Sequence, residues 1–398
     1  MSTTRRNLIK GSLLSALPVR AARTTRSSGG VYQDLGIRPV INCRGTHTVL
    51  GASKKWPELD AAMADASRHF VLLEELQEKV GERLAKLIGA EAAMVTTGAA
   101  GAIALGTYAC LTGPDVKRVR QLPNLDGMKT EAIIQKIHRN GYDHAVRSAG
   151  VKIVEVETRE ELAAAASPQT AMMYYLGGTT GDWTWEKEPL SLEDCVAVGR
   201  RAGFPVLVDA ANMLPPWENL RKVAAAGPDL IAISGGKHLR GPQCSGILAG
   251  RKDLVAAALK NASPNSDSQG RPFKVGREEI VGVWLAAEKY SRLDFAALDR
   301  QYREQCEYLL GALKKVRGLT VGYMPFERVR KIPRVFVQWD EKAVGMTTRE
   351  CMRKLLDGDP RIAVLAHERQ GFYLTMIMGD PGDEKVVARR IKELFQGA

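Results

Sequence analysis

The stretch LIAISGGKHLRGPQCSG, Leu230 to Gly246, decides the fold. It opens with the apolar run Leu230–Ile233, too short for a helix, which passes through Ser234 into the pair Gly235-Gly236 and then Lys237. A short apolar run closed by two glycines reads as a buried strand ending in a tight turn. A lysine just past such a strand is poorly solvated, and desolvation favours its neutral, nucleophilic amine. Ser234 stands where its hydroxyl can donate to an anion.

Working backward, a second apolar strand, Pro205–Val208, runs into Asp209 and then Ala210-Ala211. Asp209 and Lys237 are 28 residues apart, which suits adjacent parallel strands joined by one helical crossover. Ligands bind at the carboxyl ends of the strands in such sheets. An Asp at a strand exit also serves as a helix N-cap, so the pair carries the specificity and neither half does alone. Earlier still, Thr96-Thr97-Gly98-Ala99-Ala100-Gly101 reads as a strand-to-helix turn whose small residues let backbone N–H groups approach an anion at a helix N-terminus. Between these lies Ile137-His138-Arg139-Asn140-Gly141-Tyr142-Asp143-His144, where His138, Tyr142 or His144 can offer a flat group. His144 is favoured slightly over His138, because the sequence does not fix which side chain points inward. In this order the features suit pyridoxal phosphate: Lys237 for a Schiff base, Asp209 to keep the pyridine nitrogen protonated so that the ring acts as an electron sink, Thr97, Gly98, Ala99 and Ser234 for the phosphate, and one ring against the cofactor.

Further strands are expected at Ala93–Thr97, Ala132–Ile137, Lys152–Val156, Ala171–Tyr175 and Gly246–Ala249, with helices such as Glu75–Ile88 and Leu192–Ala202 between them. That alternation is the pattern of an α/β domain with a mainly parallel sheet. After the polar segment Asn261–Gly270, two amphipathic helices (Arg277–Lys289 and Leu298–Val316) lead into strands at Arg334–Gln338, Ala363–Ala366 and Gly371–Ile377, closed by a helix from Asp383. The expected organisation is a leader over 1–28, a large α/β domain over 29–265, and a linker helix with a smaller C-terminal α+β domain over 266–398. A chain of 398 residues has room for two cores.

Hydrophobic and charged residues make up 45% and 26% of the chain, an ordinary globular balance. No apolar run approaches the roughly 20 residues of a membrane-spanning helix. Six cysteines without a CxxC pair argue against a zinc site or a disulfide scaffold and read as buried free thiols. The net charge of +12 falls to +6 once Arg5, Arg6, Lys10, Arg20, Arg23 and Arg26, all ahead of the first acidic residue Asp34, are set aside. The remainder has no basic run, so a small anionic substrate suits it as well as RNA does. Arg5-Arg6, the apolar stretch Gly11–Val19 and Arg20-Ala21-Ala22 read as a twin-arginine export leader, which places the protein in the periplasm; a disordered basic leader on a cytoplasmic protein is the other reading.

Ser234–Gly246 resembles the selenocysteine synthase superfamily of fold-type I pyridoxal-phosphate enzymes, most closely its D-glucosaminate-6-phosphate ammonia lyase-like branch. Arg38–Thr46, His138–Gly150 and Gly270–Glu279 support the resemblance, which runs from about residue 31 to the C-terminus. It implies Lys237 as the Schiff-base lysine, Asp209 as partner of the ring nitrogen, and a homo-oligomer with sites at subunit interfaces, where Arg271 and Lys274 approach an anionic group. With only about 30 residues ahead of Val31, the N-terminal tRNA-binding domain of bacterial selenocysteine synthases is not expected. The implied activity is α,β-elimination of ammonia from an amino acid or amino-sugar acid. A racemase or aminotransferase on the same scaffold and a transferase acting on aminoacyl-tRNA are the alternatives.

Overall fold

Twelve strands order the described residues: β1 (Val40–Cys43), β2 (Ala92–Thr96), β3 (Glu131–Gln135), β4 (Lys152–Val156), β5 (Thr170–Leu176), β6 (Val206–Asp209), β7 (Leu230–Ser234), β8 (Gly246–Gly250), β9 (Leu319–Met324), β10 (Arg334–Trp339), β11 (Arg361–Ala366) and β12 (Phe372–Leu374). The computed structural model describes residues 30–178, 189–324 and 332–396. The leader with Arg5 and Arg6 lies outside the described residues. Two units are distinguished, Met1–Val40 and Ile41–Ala398. The described part of the first carries the short helix Val31–Asp34.

The larger sheet runs β2-β8-β7-β6-β5-β3-β4. The pairs β3/β4, β3/β5, β5/β6 and β6/β7 are parallel, and β8 lies antiparallel between β2 and β7. This is the mainly parallel α/β sheet that the sequence pattern predicts, with one reversed strand inserted. Its inner strands are apolar on both faces because helices cover both. Alternate residues divide cleanly between two cores. Met173, Tyr175, Val206, Val208, Ile231 and Ile233 face one layer, which includes the helices Leu73–Ile88, Leu192–Ala202 and Arg277–Tyr290. Met172, Tyr174, Leu207, Leu230 and Ala232 face the other, built around the helix Gly98–Thr112. That helix is apolar nearly all round and lies close against the sheet. A Cβ added at Gly106 would come within 2.4 Å of the Leu207 side chain.

Helix ends follow local chemistry. Ser191 accepts from Asp194 N, and Gly203 closes the same helix at φ +76, so the expected span Leu192–Ala202 is found unchanged. The expected helix Leu298–Val316 begins earlier, at Phe295, because Asp294 caps it through Ala297 N. The smaller sheet runs β1-β11-β12-β10-β9, with β9/β10, β10/β12 and β11/β12 antiparallel. Its strands β1 and β9 are additions to the sequence reading. The strand expected over Gly371–Ile377 is confined to Phe372–Leu374, and Thr375 N then donates to Cys43 O.

All six cysteines are free. Cys43, Cys195, Cys306 and Cys351 are buried, whereas Cys110 is half-buried and Cys244 is exposed on the turn before β8, which corrects the expectation of six buried thiols. Among the described residues no helix is long and apolar enough to cross a membrane.

Candidate active site

The parallel strands end at one edge of the large sheet, and that edge gathers most of the predicted residues. Asp209 closes β6 in register with Leu176 of β5 and Ala232 of β7. Ser234 closes β7 opposite Gly246, and Gly246 faces Thr96 at the end of β2. The strand alternation turns Tyr174, Asp209 and Ser234 toward the face covered by the helix Gly98–Thr112.

Thr97 precedes that helix, and Gly98 enters it at φ +68. The N–H groups of its first turn have no intrahelical partners and form an anion cradle. Close packing demands glycine beneath the cradle. A Cβ on Gly246 would stand 2.3 Å from the Gly98 carbonyl carbon. From Gly246 on β8 to Asp209 on β6 is two strand spacings across and two residues along, about 12 Å. That is the length scale of an aromatic ring carrying a phosphate arm.

Asp209 is buried, at 5% exposure. Its Oδ1 accepts from Ala211 N at 2.9 Å and its Oδ2 accepts from the Tyr174 hydroxyl at 2.9 Å. Burial pushes the Asp209 carboxyl above its ordinary range, opposed by the Ala211 amide, the Lys237 charge and the Tyr174 hydroxyl. A cation placed against it would restore its ionised form. Burial, and then the neighbouring Asp209 charge, pushes the Tyr174 phenol well up, so Tyr174 stays a neutral donor.

Lys237 is half-buried, and its Nζ donates to Asn212 Oδ1 at 2.8 Å. Asn212 lies three residues past Asp209, so one loop serves both the carboxylate and the amine. The Gly235-Gly236 turn leaves no room for side chains. A Cβ on Gly235 would meet Ser245 Oγ at 2.2 Å, and one on Gly236 would meet Gln243 Cα at 2.5 Å.

His138 is completely buried beside this edge. Its Nδ1 accepts from Leu176 N at 3.2 Å, and its ring stands edge-on to Tyr175 with centroids 4.5 Å apart. His144 opens the surface helix His144–Arg147 and is exposed, as is Tyr142. Between them Asp143 is buried and receives Arg139 Nε at 2.6 Å and Arg147 Nε at 2.8 Å. Arg271 is half-buried and Lys274 exposed on the segment before the helix Arg277–Tyr290. Among the described residues no hydrogen bond or ion pair joins either to Asp209 or Lys237. Tyr174 and Asn212 are site residues that the sequence reading missed. A tyrosine inside a wholly buried strand must place its hydroxyl somewhere polar, and that was the available signal.

The arrangement suits a group with an anionic arm, a flat ring and a basic ring nitrogen: cradle, ring space and buried carboxylate lie along one line of strand ends. No His/Cys/Asp/Glu group among the described residues is placed to hold a metal ion.

No protein-family model matches the chain. It is 33% identical over 391 residues to a 5'-C-glycyluridine monooxygenase-decarboxylase from Streptomyces sp, covering 94% of each chain. It is 31% identical to the D-glucosaminate-6-phosphate ammonia lyase of Salmonella typhimurium, covering 92% of this chain and 98% of that one. A solved structure of a D-glucosaminate-6-phosphate ammonia-lyase superposes with a TM-score of 0.80 at 30% identity, covering 93% of this chain and 99% of the other. Pyridoxal phosphate is the cofactor that goes with this fold and these relatives. With the site at the strand ends and likeness over nearly the whole chain, the protein belongs to the D-glucosaminate-6-phosphate ammonia lyase-like branch of the selenocysteine synthase superfamily of fold-type I pyridoxal-phosphate enzymes.

Proposed function

We propose that this enzyme releases ammonia from a small anionic amino acid or amino-sugar acid by α,β-elimination. The observation that carries this reading is the Asp209–Asn212 loop, which sets a buried carboxylate and the Lys237 amine side by side at the edge of the sheet. When bound, pyridoxal phosphate supplies an electron sink for the bonding pair left on the substrate Cα. Lys237 would anchor the cofactor, and its Nζ would take the Cα proton. Asn212 Oδ1 holds that amine between the two tasks. Asp209 would hold a proton on the ring nitrogen, and the Tyr174 hydroxyl and Ala211 amide fix the carboxylate for that role. The N–H groups after Thr97, at Gly98 and Ala99, and the Ser234 hydroxyl would hold the phosphate, with His138 or His144 the candidate for the ring face. A β-hydroxyl leaves as water, and hydrolysis of the product enamine gives a keto acid and ammonia.

A homo-oligomer with sites shared between subunits is part of this reading. The run Phe70-Val71-Leu72-Leu73 supports it, since these four apolar residues are 97%, 51%, 73% and 37% exposed in the single chain. Arg271 and Lys274 then serve an anionic group across the interface. The Arg5-Arg6 leader supports export of the folded, loaded enzyme to the periplasm.

A second reading, oxygen-dependent decarboxylation, is favoured by the 33% identity to the monooxygenase-decarboxylase. A panel of amino acids and amino-sugar acids, with and without phosphate, separates the two. Ammonia and keto acid without oxygen uptake mark elimination; carbon dioxide with oxygen uptake marks the second reading. Amino transfer to an acceptor keto acid, or loss of chirality alone, would overturn both in favour of an aminotransferase or racemase.

A further inference from the structure

The segment Ser53–Trp56 grips the Lys237 turn from both sides. Ser53 Oγ donates to Gly236 O at 2.7 Å, Trp56 Nε1 donates to Leu239 O at 2.8 Å, and Trp56 N donates to Arg240 O at 3.1 Å. In return Arg240 Nε donates to Lys54 O at 2.8 Å, and its guanidinium carbon lies 4.0 Å from the centre of the Trp56 ring. The carbonyls engaged belong to residues immediately before and shortly after Lys237. Arg240 itself sits at φ +55, in the left-handed region. A side chain there is strained against the backbone, and such a conformation persists only where the surroundings over-determine it. Here the surroundings are Trp56 and the Lys54 carbonyl. Burial pushes the Arg240 guanidinium down, while the indole face attracts its cation.

We infer that Trp56 and Arg240 are positioning residues for Lys237. Their interlock fixes the turn so that the amine stands at Asn212 and beside Asp209, and the long lysine chain does not sweep through solvent. They act through Lys237. The inference rests on the reading of Lys237 as the cofactor lysine.

The test measures capture of pyridoxal phosphate by full-length protein freed of cofactor. Lys237 condenses with the cofactor aldehyde and releases water, and borohydride added at intervals reduces the C=N bond to a stable amine that peptide mapping locates. Arg240→Gly accepts the left-handed backbone without strain while removing the guanidinium. Trp56→Phe keeps an aromatic face but loses the indole N–H, and Arg240→Lys keeps only the charge. Arg240→Gly is expected to slow capture at Lys237 about tenfold and to change the visible-region circular dichroism of the bound cofactor. Trp56→Phe falls between it and the parent, and Arg240→Lys restores part of the rate. Should Trp56→Phe fail to fold, Ser53→Ala removes a single bond to Gly236 and is expected to slow capture about fivefold, the worth of one net hydrogen bond. Parent-like capture and circular dichroism in Arg240→Gly and in either segment variant would overturn the inference while leaving the cofactor lysine intact. A label on some other lysine of the parent would overturn the reading on which it rests.

Discussion

Tyr174 gives its hydroxyl to Asp209 beside the Ala211 amide, and Asn212 takes the amine of Lys237, so polar neighbours hold both principal groups of the site. The consequence for Asp209→Asn is a split between binding and chemistry. The cradle at Gly98 and the lysine are untouched, so the variant retains the cofactor. An amide cannot hold a proton on the ring nitrogen, so turnover falls by about a hundredfold or more, as when an active site loses a charge-stabilising partner. Titration with cofactor and steady-state assay of the same preparation check this; near-normal turnover would reduce Asp209 to a helix cap. Asp209 and Lys237 are legible in the sequence because each ends an apolar run where the chain must turn. Tyr174 is not, because TAMMYYL is apolar enough to read as core filling throughout. Only the period of two, combined with knowledge of which face carries the ligand, separates Tyr174 from Tyr175. The choice between His138 and His144 fails for a similar reason: the short turns at Lys136–His138 and Gly141–Asp143 set their directions, and neither turn has a sequence period.

The loop from His138 to Arg147 is braced as an element by Asp143. Burial opposes ionisation of Asp143, but hydrogen bonds and charge from Arg139 and Arg147 outweigh it and hold the carboxyl below its ordinary range. A lowered folded-state value means that this stabilisation is present above the unfolded value, about pH 4, and is lost as pH falls through the lower folded value. Asp143→Asn removes the negative centre of the brace and is expected to cost about 1–2 kcal/mol at neutral pH, the scale of charge-assisted hydrogen bonds to partly exposed partners. Urea midpoints of parent and variant should converge as pH drops below about 4. A gap that stays constant into acid would show that the brace is not ionic. At this scale the sequence yields the long helices and the buried parallel strands, whose periods are strong. It does not yield the reversal of β8, since GILAG carries no mark of direction. Nor does it yield β9, where Gly322 interrupts the pattern and is covered by the Phe336 ring across the ladder; a Cβ at Gly322 would lie 2.0 Å from Phe336 Cζ.

For the whole molecule, the exposed run at Phe70 is the feature a single chain leaves unexplained. Phe70→Asp should shift the protein toward smaller species in size-exclusion chromatography and lower cofactor retention, if subunits share sites. An unchanged elution volume with full retention would place the interface elsewhere. The leader makes an independent prediction: replacing Arg5 and Arg6 with lysine should retain the enzyme in the cytoplasm, as fractionation of a producing cell would report. A parent protein found wholly cytoplasmic with its leader intact would refute export. The smaller sheet adds a constraint of timing. It takes β1 from residues 40–43, while the neighbouring β11 appears about 320 residues later. A ribosome must therefore deliver all the residues between them before β1 meets its neighbour, and closing so long a loop is slow. Until then β1 is an open edge to which a neighbouring nascent chain can bind. The final stretch of translation thus decides between a finished enzyme and an aggregate, and a message cut short ahead of Arg361 would yield a chain that chaperones must hold or proteases remove.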